Sequence, residues 1–238
     1  MALIAAAVCP HPPLLVPEVA AGAATETADL RAAAAAAVTA LVGADPDVVF
    51  VVGDAPETLA FSSADSGTLA PYGVDLVVPL GPRLCAGQPI LALSLTVGAW
   101  LLRESGWTGD RQGYGVARTT TLDAALQAGR EIASVADRVA VLCMGDGAAR
   151  GSDRSPGYVD PRAAEFDEQV GAALGSADLD ALKALDHDLA DALLVAGTRP
   201  WQVLAGAADG ASWDAAVLYR GAPYGVAYYV ATWLRSQD

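Results

Sequence analysis

The 238-residue sequence carries 28 Asp and Glu against 14 Lys and Arg, a formal charge of −14 with both histidines neutral. A single lysine, Lys183, and arginines scattered along the chain offer no basic stripe able to hold a phosphate backbone or an anionic membrane, so nucleic acid and membrane are excluded as partners. At 53% hydrophobic and 18% charged residues, with a mean hydropathy of +0.35, the chain is too apolar for disorder. Its length predicts one domain over residues 1–238.

The first apolar run, Leu3–Cys9, predicts a strand. Ala2–Val8 has the length of a signal-peptide core, but no Lys or Arg precedes it and Pro10, Pro12 and Pro13 stand where a cleavage site belongs, so a cytoplasmic protein is expected. A helix follows over Thr25–Val42, with alanines supplying helix propensity. Strands are predicted at Val48–Val52 and Val74–Val78 and a helix at Ile90–Glu104. The apolar stretch there, Ile90 to Leu102, is about 13 residues long, against the ~20 that a spanning helix needs.

A helix at Thr121–Ala136 and a strand at Val139–Met144 come next. The Gly/Ser/Arg/Asp/Pro segment Ala148–Tyr158 reads as a site-bearing loop rather than a domain boundary. The remaining helices are predicted at Pro161–Leu174, Ser176–Ala184, Asp186–Ala196, Arg199–Ala208 and Gly225–Arg235. Strands with continuous apolar runs are covered on both faces. Their alternation with helices predicts an α/β layered domain whose mostly parallel central sheet is flanked by helices. Cys9, Cys85 and Cys143 form no C-x-x-C pair and read as small buried hydrophobes.

Ligands of such sheets bind beyond the carboxyl ends of the strands. Three titratable residues fall there: His11 after the first strand, Asp54 after the second and Asp146 after Val139–Met144. Prolines on both sides of His11 fix its backbone, as a ligand or general base requires. Asp54 and Asp146 each follow glycine, which is also an ordinary turn signal. Together the three have the composition of a His/carboxylate site for a divalent metal. His187, flanked by Asp186 and Asp188, reads as a solvated helix position. The aromatic group Tyr219, Tyr224, Tyr228, Tyr229 and Trp233 reads mainly as core, with Tyr224 or Tyr228 placed to line a pocket. Gly113-Tyr114-Gly115 lacks the third glycine of a dinucleotide loop, and P-loop, nucleophile-elbow and zinc-protease motifs are absent.

Five segments in order are similar to those of the LigB-type class III extradiol ring-cleavage dioxygenases and their Memo-like relatives: Val8-Cys9-Pro10-His11-Pro12-Pro13, Met144 to Arg150, Tyr158 to Asp167, the Gly197-Thr198-Arg199-Pro200 region, and Tyr224-Gly225-Val226-Ala227-Tyr228. The resemblance implies a LigB-like fold and, in the family, iron held by two histidines and a glutamate with a further histidine as acid/base. His11 matches the first ligand. The second histidine is replaced by Asp54, the acid/base histidine falls on Ala149, and the C-terminal ligand falls near Tyr219-Arg220, where no carboxylate exists.

The resemblance therefore implies a degenerate metal site. One expectation is a protein that binds an anionic or aromatic small molecule, or a protein partner, with Asp54, Arg220 and Tyr224 in the binding site. Arg220 would favour an anion such as a carboxylate. The alternative is a metal-dependent, dioxygenase-like oxidoreductase or a hydrolase, with His11 and Asp146 catalytic and His11 and Asp54 holding Fe(II), Mn or Zn. A homodimer is the expected assembly.

Overall fold

The computed structural model describes residues 2–152, 155 and 158–236, so Asp153, Arg154, Pro156 and Gly157 of the 148–158 loop lie outside the described residues. In chain order the elements are β1 (Ala2–Cys9), α1 (Pro17–Ala20), α2 (Ala28–Gly43), β2 (Val48–Ala55), β3 (Leu59–Phe61), β4 (Ser66–Thr68), β5 (Val77–Pro79), α3 (Leu93–Glu104), β6 (Asp110–Ala117), α4 (Leu122–Ala133), β7 (Arg138–Met144), α5 (Ala163–Ser176), α6 (Leu179–Lys183), α7 (His187–Ala192), α8 (Thr198–Ala207), β8 (Trp213–Gly221) and β9 (Tyr228–Arg235).

The main sheet has the order β3-β6-β2-β7-β1-β9-β8. Its four central strands, β6, β2, β7 and β1, run parallel, while β3, β9 and β8 pair antiparallel at the flanks. The sheet is thus mixed, parallel where the crossover helices cover it. β1, β2 and β7 each feed two cores. Leu3, Ala6 and Val8 of β1, with Val139, Val141 and Cys143 of β7, face α4 to α8. Ala5, Ala7 and Cys9, with Ala140, Leu142 and Met144, face α2 and α3. Burial on both faces is why these strands read as unbroken apolar runs.

Three expectations are corrected. Gly225–Arg235 was expected to be helical, and Tyr228–Arg235 is instead the strand β9. Its aromatic and β-branched residues pack on both faces, Tyr229 and Trp233 in one core and Tyr228 and Val230 in the other, an alternation of period two. Val74–Val78 contributes only the short β5, which pairs with β4 outside the main sheet. Cys9 and Cys143 are buried, and burial raises the Cys9 thiol to about 12 and Cys143 higher still, whereas Cys85 is exposed. The exposed setting of Cys85 follows from its place in the irregular 81–92 segment, which no helix or strand covers.

Helix starts follow local chemistry. Thr121 accepts the Ala124 N–H and Asp186 accepts those of Asp188 and Leu189, capping α4 and α7. All ten residues of α8 are buried, including Thr198, Arg199 and Gln202. No helix among the described residues is long and apolar enough to cross a membrane.

Candidate functional site

Strand register explains why residues far apart in sequence meet. Met144, at the end of β7, is opposite both Cys9 of β1 and Gly53 of β2. The residues that follow on these neighbouring strands therefore lie at one edge of the sheet. Gly145 N–H donates to the Cys9 carbonyl at 2.9 Å, which carries Asp146 towards the β1 side. Asp54 is still within β2, opposite Val116 of β6, and its carbonyl accepts the Ser94 hydroxyl at 2.6 Å.

These placements bring His11, Asp54 and Asp146 together, as the sequence suggested. The Asp146 Oδ1 accepts the His11 backbone N–H at 2.8 Å and lies 3.5 Å from the ring Nδ1. On the other side of the ring, His11 Nε2 is 3.2 Å from Asp54 Oδ1. His11 is 7% exposed, and Asp54 forms the solvent side of the pair. Burial raises the Asp146 carboxyl above its usual range and the Asp54 charge adds to this, against the lowering effect of His11 and its N–H. Burial, aided by the Asp146 charge, also pushes the Tyr228 phenol well above its ordinary value.

The donor set does not fit the metal centre that the resemblance implies. Asp54 and Asp146 approach opposite nitrogens of one imidazole, so a single ion cannot take His11 and both carboxylates. His11 Nε2 and Asp54 Oδ1 make two donors, one short of a facial triad. Among the described residues no group of three or more His, Cys, Asp or Glu side chains is arranged to hold a metal. Ala149, where the family's acid/base would stand, is buried and only donates its N–H to the Leu193 carbonyl at 2.9 Å.

The two other expected ligand-binding residues are engaged by acidic partners. Arg220 bonds Glu168 at 2.7 Å and the Asp167 carbonyl at 3.3 Å, holding β8 to α5, because its side chain leaves the outer strand over Gly171. Tyr224 donates to Glu26 at 3.1 Å. His187 is likewise not a free solvated position: it lies half-buried, with Nε2 2.7 Å from Gln202 Oε1 of α8.

What sequence reasoning missed is the rest of the cleft that Asp54 lines. Asp54 borders a cleft of about 210 Å³ whose other lining includes Val116, Arg118, Asp191, Leu194 and Arg199. Arg118 is the first residue after β6, so the fourth parallel strand also delivers a side chain to this edge. Arg199, 6% exposed, forms a two-bond pair with Asp191 at 2.8 and 3.3 Å, and Arg118 Nε is 2.9 Å from the same carboxylate. Arg118 was hidden because β6 alternates polar residues with Gly113 and Gly115 and does not read as a strand. Arg199 stood in the Gly197-Thr198-Arg199-Pro200 segment and was available as a signal through the resemblance.

The two roles of Asp146 separate by substitution. A folded-state carboxyl whose affinity for its proton is raised costs stability above its ordinary titration range and ceases to do so as the pH falls through that range. Asp146→Asn keeps an oxygen for the His11 N–H and removes the charge, so stability at neutral pH is expected to be unchanged or higher. Asp146→Ala orphans that N–H and is expected to cost about 1–3 kcal/mol. Urea unfolding of both variants at pH 7 checks the order.

No protein-family model matches the chain, and no curated protein matches it in sequence. Among solved structures, it is similar to the crystal structure of an uncharacterized protein, JW3007, from Escherichia coli K12. The two share 16% identity over 97% of this chain and 99% of that one, with a TM-score of 0.54, a likeness of fold alone: one α/β domain built on a mixed, centrally parallel sheet.

Proposed function

We propose that the chain is a LigB-like relative of the extradiol dioxygenases that binds a small molecule at the carboxyl edge of its parallel strands, without a three-donor iron centre. The observation that carries this reading is His11, with a carboxylate near each ring nitrogen, joined through Asp54 to a cleft whose lining also includes Arg118 and Arg199. At about 210 Å³ the cleft has room for about seven waters' share of liquid volume, which suits a small molecule better than a protein segment. His11 and Asp54 also form a proton-accepting pair at that wall, able to polarise a hydroxyl.

Metal quantification on protein purified without chelator, beside His11→Ala, tests the reading. Expected are iron, manganese and zinc contents well below one per chain in both proteins, and a melting temperature that none of the three ions moves. The second reading, a metal-dependent oxidoreductase or hydrolase, draws on the 3.2 Å approach of His11 Nε2 to Asp54 Oδ1, a separation that two ligands of one ion can have. Near one metal per chain, lost in His11→Ala, would replace the first reading with the second.

A further inference from the structure

The polar groups around the cleft are mismatched in a way that defines a ligand. Asp191 is the one carboxylate in contact with both arginines: its Oδ1 is 2.8 Å from Arg199 Nη1 and 2.9 Å from Arg118 Nε. A single carboxylate balances one guanidinium, so this wall keeps one positive charge. Arg199 Nε is buried without a hydrogen-bond partner, and Arg118, with its side chain 61% exposed, makes no hydrogen bond from its terminal nitrogens to any described residue. Asp54, whose side chain is 45% exposed, turns Oδ1 to His11 Nε2 at 3.2 Å without a well-aligned hydrogen bond and also lines the cleft. The rest of the lining includes the apolar Val116, Leu194, Val195 and Ala196. Buried polar groups left unpaired in a native protein call for a partner.

Resting on the small-molecule reading of this cleft, we infer that the ligand is a short-chain hydroxy acid. Its carboxylate lies on the terminal nitrogens of Arg118, beside the Arg199–Asp191 pair, its hydrocarbon part crosses the apolar lining, and its hydroxyl donates to Asp54 with His11 behind. A guanidinium fork matches a carboxylate with two parallel bonds. A phosphate ester fits less well. Its second negative charge would meet a wall with a single surplus positive charge and a second carboxylate at Asp54, in a chain of formal charge −14.

The test is amide-shift NMR on the full ¹⁵N-labelled chain. It is titrated with 3-hydroxypropanoate, 4-hydroxybutyrate and 5-hydroxypentanoate, with butyrate and butane-1,4-diol lacking one end each, and with putrescine as a cation. Expected are saturable shifts at Arg118, Leu194, Val195 and Arg199, strongest for one of the hydroxy acids. Arg118→Gln, an exposed substitution, should weaken that acid about tenfold or more. Asp54→Ala should reduce it to the affinity of butyrate while leaving butyrate unchanged. Acid binding indifferent to Arg118→Gln overturns the inference. Diol or putrescine moving these amides while the acids do not also overturns it, and leaves the cleft reading standing. If no compound moves them, both fall.

Discussion

Gly129→Val is expected to destabilise the protein by about 3 kcal/mol, the upper end of the usual cost of overpacking. Gly129 lies where α4 crosses α8, and a Cβ there would meet the Val203 carbonyl and stand 2.5 Å from the Ala207 nitrogen. The contact is reciprocal, since a Cβ on Gly206 would meet the Leu126 carbonyl and stand 2.7 Å from its Cα. All of these are backbone atoms, which no rotamer change can move aside, so a side chain must push the helices apart. Gly43, at the end of α2, has nothing within 4 Å of the position its Cβ would take. Gly43→Ala should therefore leave stability within about 1 kcal/mol of the wild type. Urea unfolding followed by circular dichroism compares the two, and equal midpoints would show that the crossing is not close-packed.

The crossing matters for the site because α8 is the element that the site borrows. Its first residues, Thr198 and Arg199, stand beside the Asp146 loop, where the Gly197 N–H donates to the Asp146 carbonyl at 2.9 Å. Gly129→Val should thus broaden or shift the amides of Gly197 and Arg199 as well as lower stability. This dependence on two glycines in separate helices is invisible to a local reading of either.

Legibility tracked burial. β1, β2 and β7 were readable because both faces are covered, and with them came the sheet edge where His11, Asp54 and Asp146 meet. β6 and β8 were not. Gly113 in β6 lacks a side chain where Phe61 and Leu80 come close, and β8, an outer strand, carries exposed Ala216, Val217, Leu218 and Arg220. Missing β6 concealed Arg118. A resemblance fixed on the positions of iron ligands drew attention to Arg220, which binds Glu168 of α5, whereas the positive charge at the cleft comes from Arg118 and Arg199. No periodicity announces a buried arginine; its partner, Asp191, comes from a different helix.

Arg199→Met is expected to cost about 3 kcal/mol, the lower end of the range for removing one member of a buried ion pair. The lower end applies because Asp191, with its side chain 28% exposed, keeps Arg118 as a neighbour. Asp191→Leu should cost at least as much, since it strands the 7% exposed Arg199 guanidinium without its carboxylate. Joined in one chain, the two substitutions replace a desolvated pair by apolar volume, an exchange that is often neutral or stabilising. The double variant should therefore be clearly more stable than the sum of the single losses predicts, with a coupling on the order of 1–3 kcal/mol. Additive losses in urea unfolding would show that the pair contributes nothing as a pair. Because the double variant also removes the buried guanidinium, it should fold and yet fail to respond to the hydroxy acid that moves the wild-type amides most. A stable double variant that still binds the acid would mean that the pair closes the cleft wall and Arg118 alone reads the ligand.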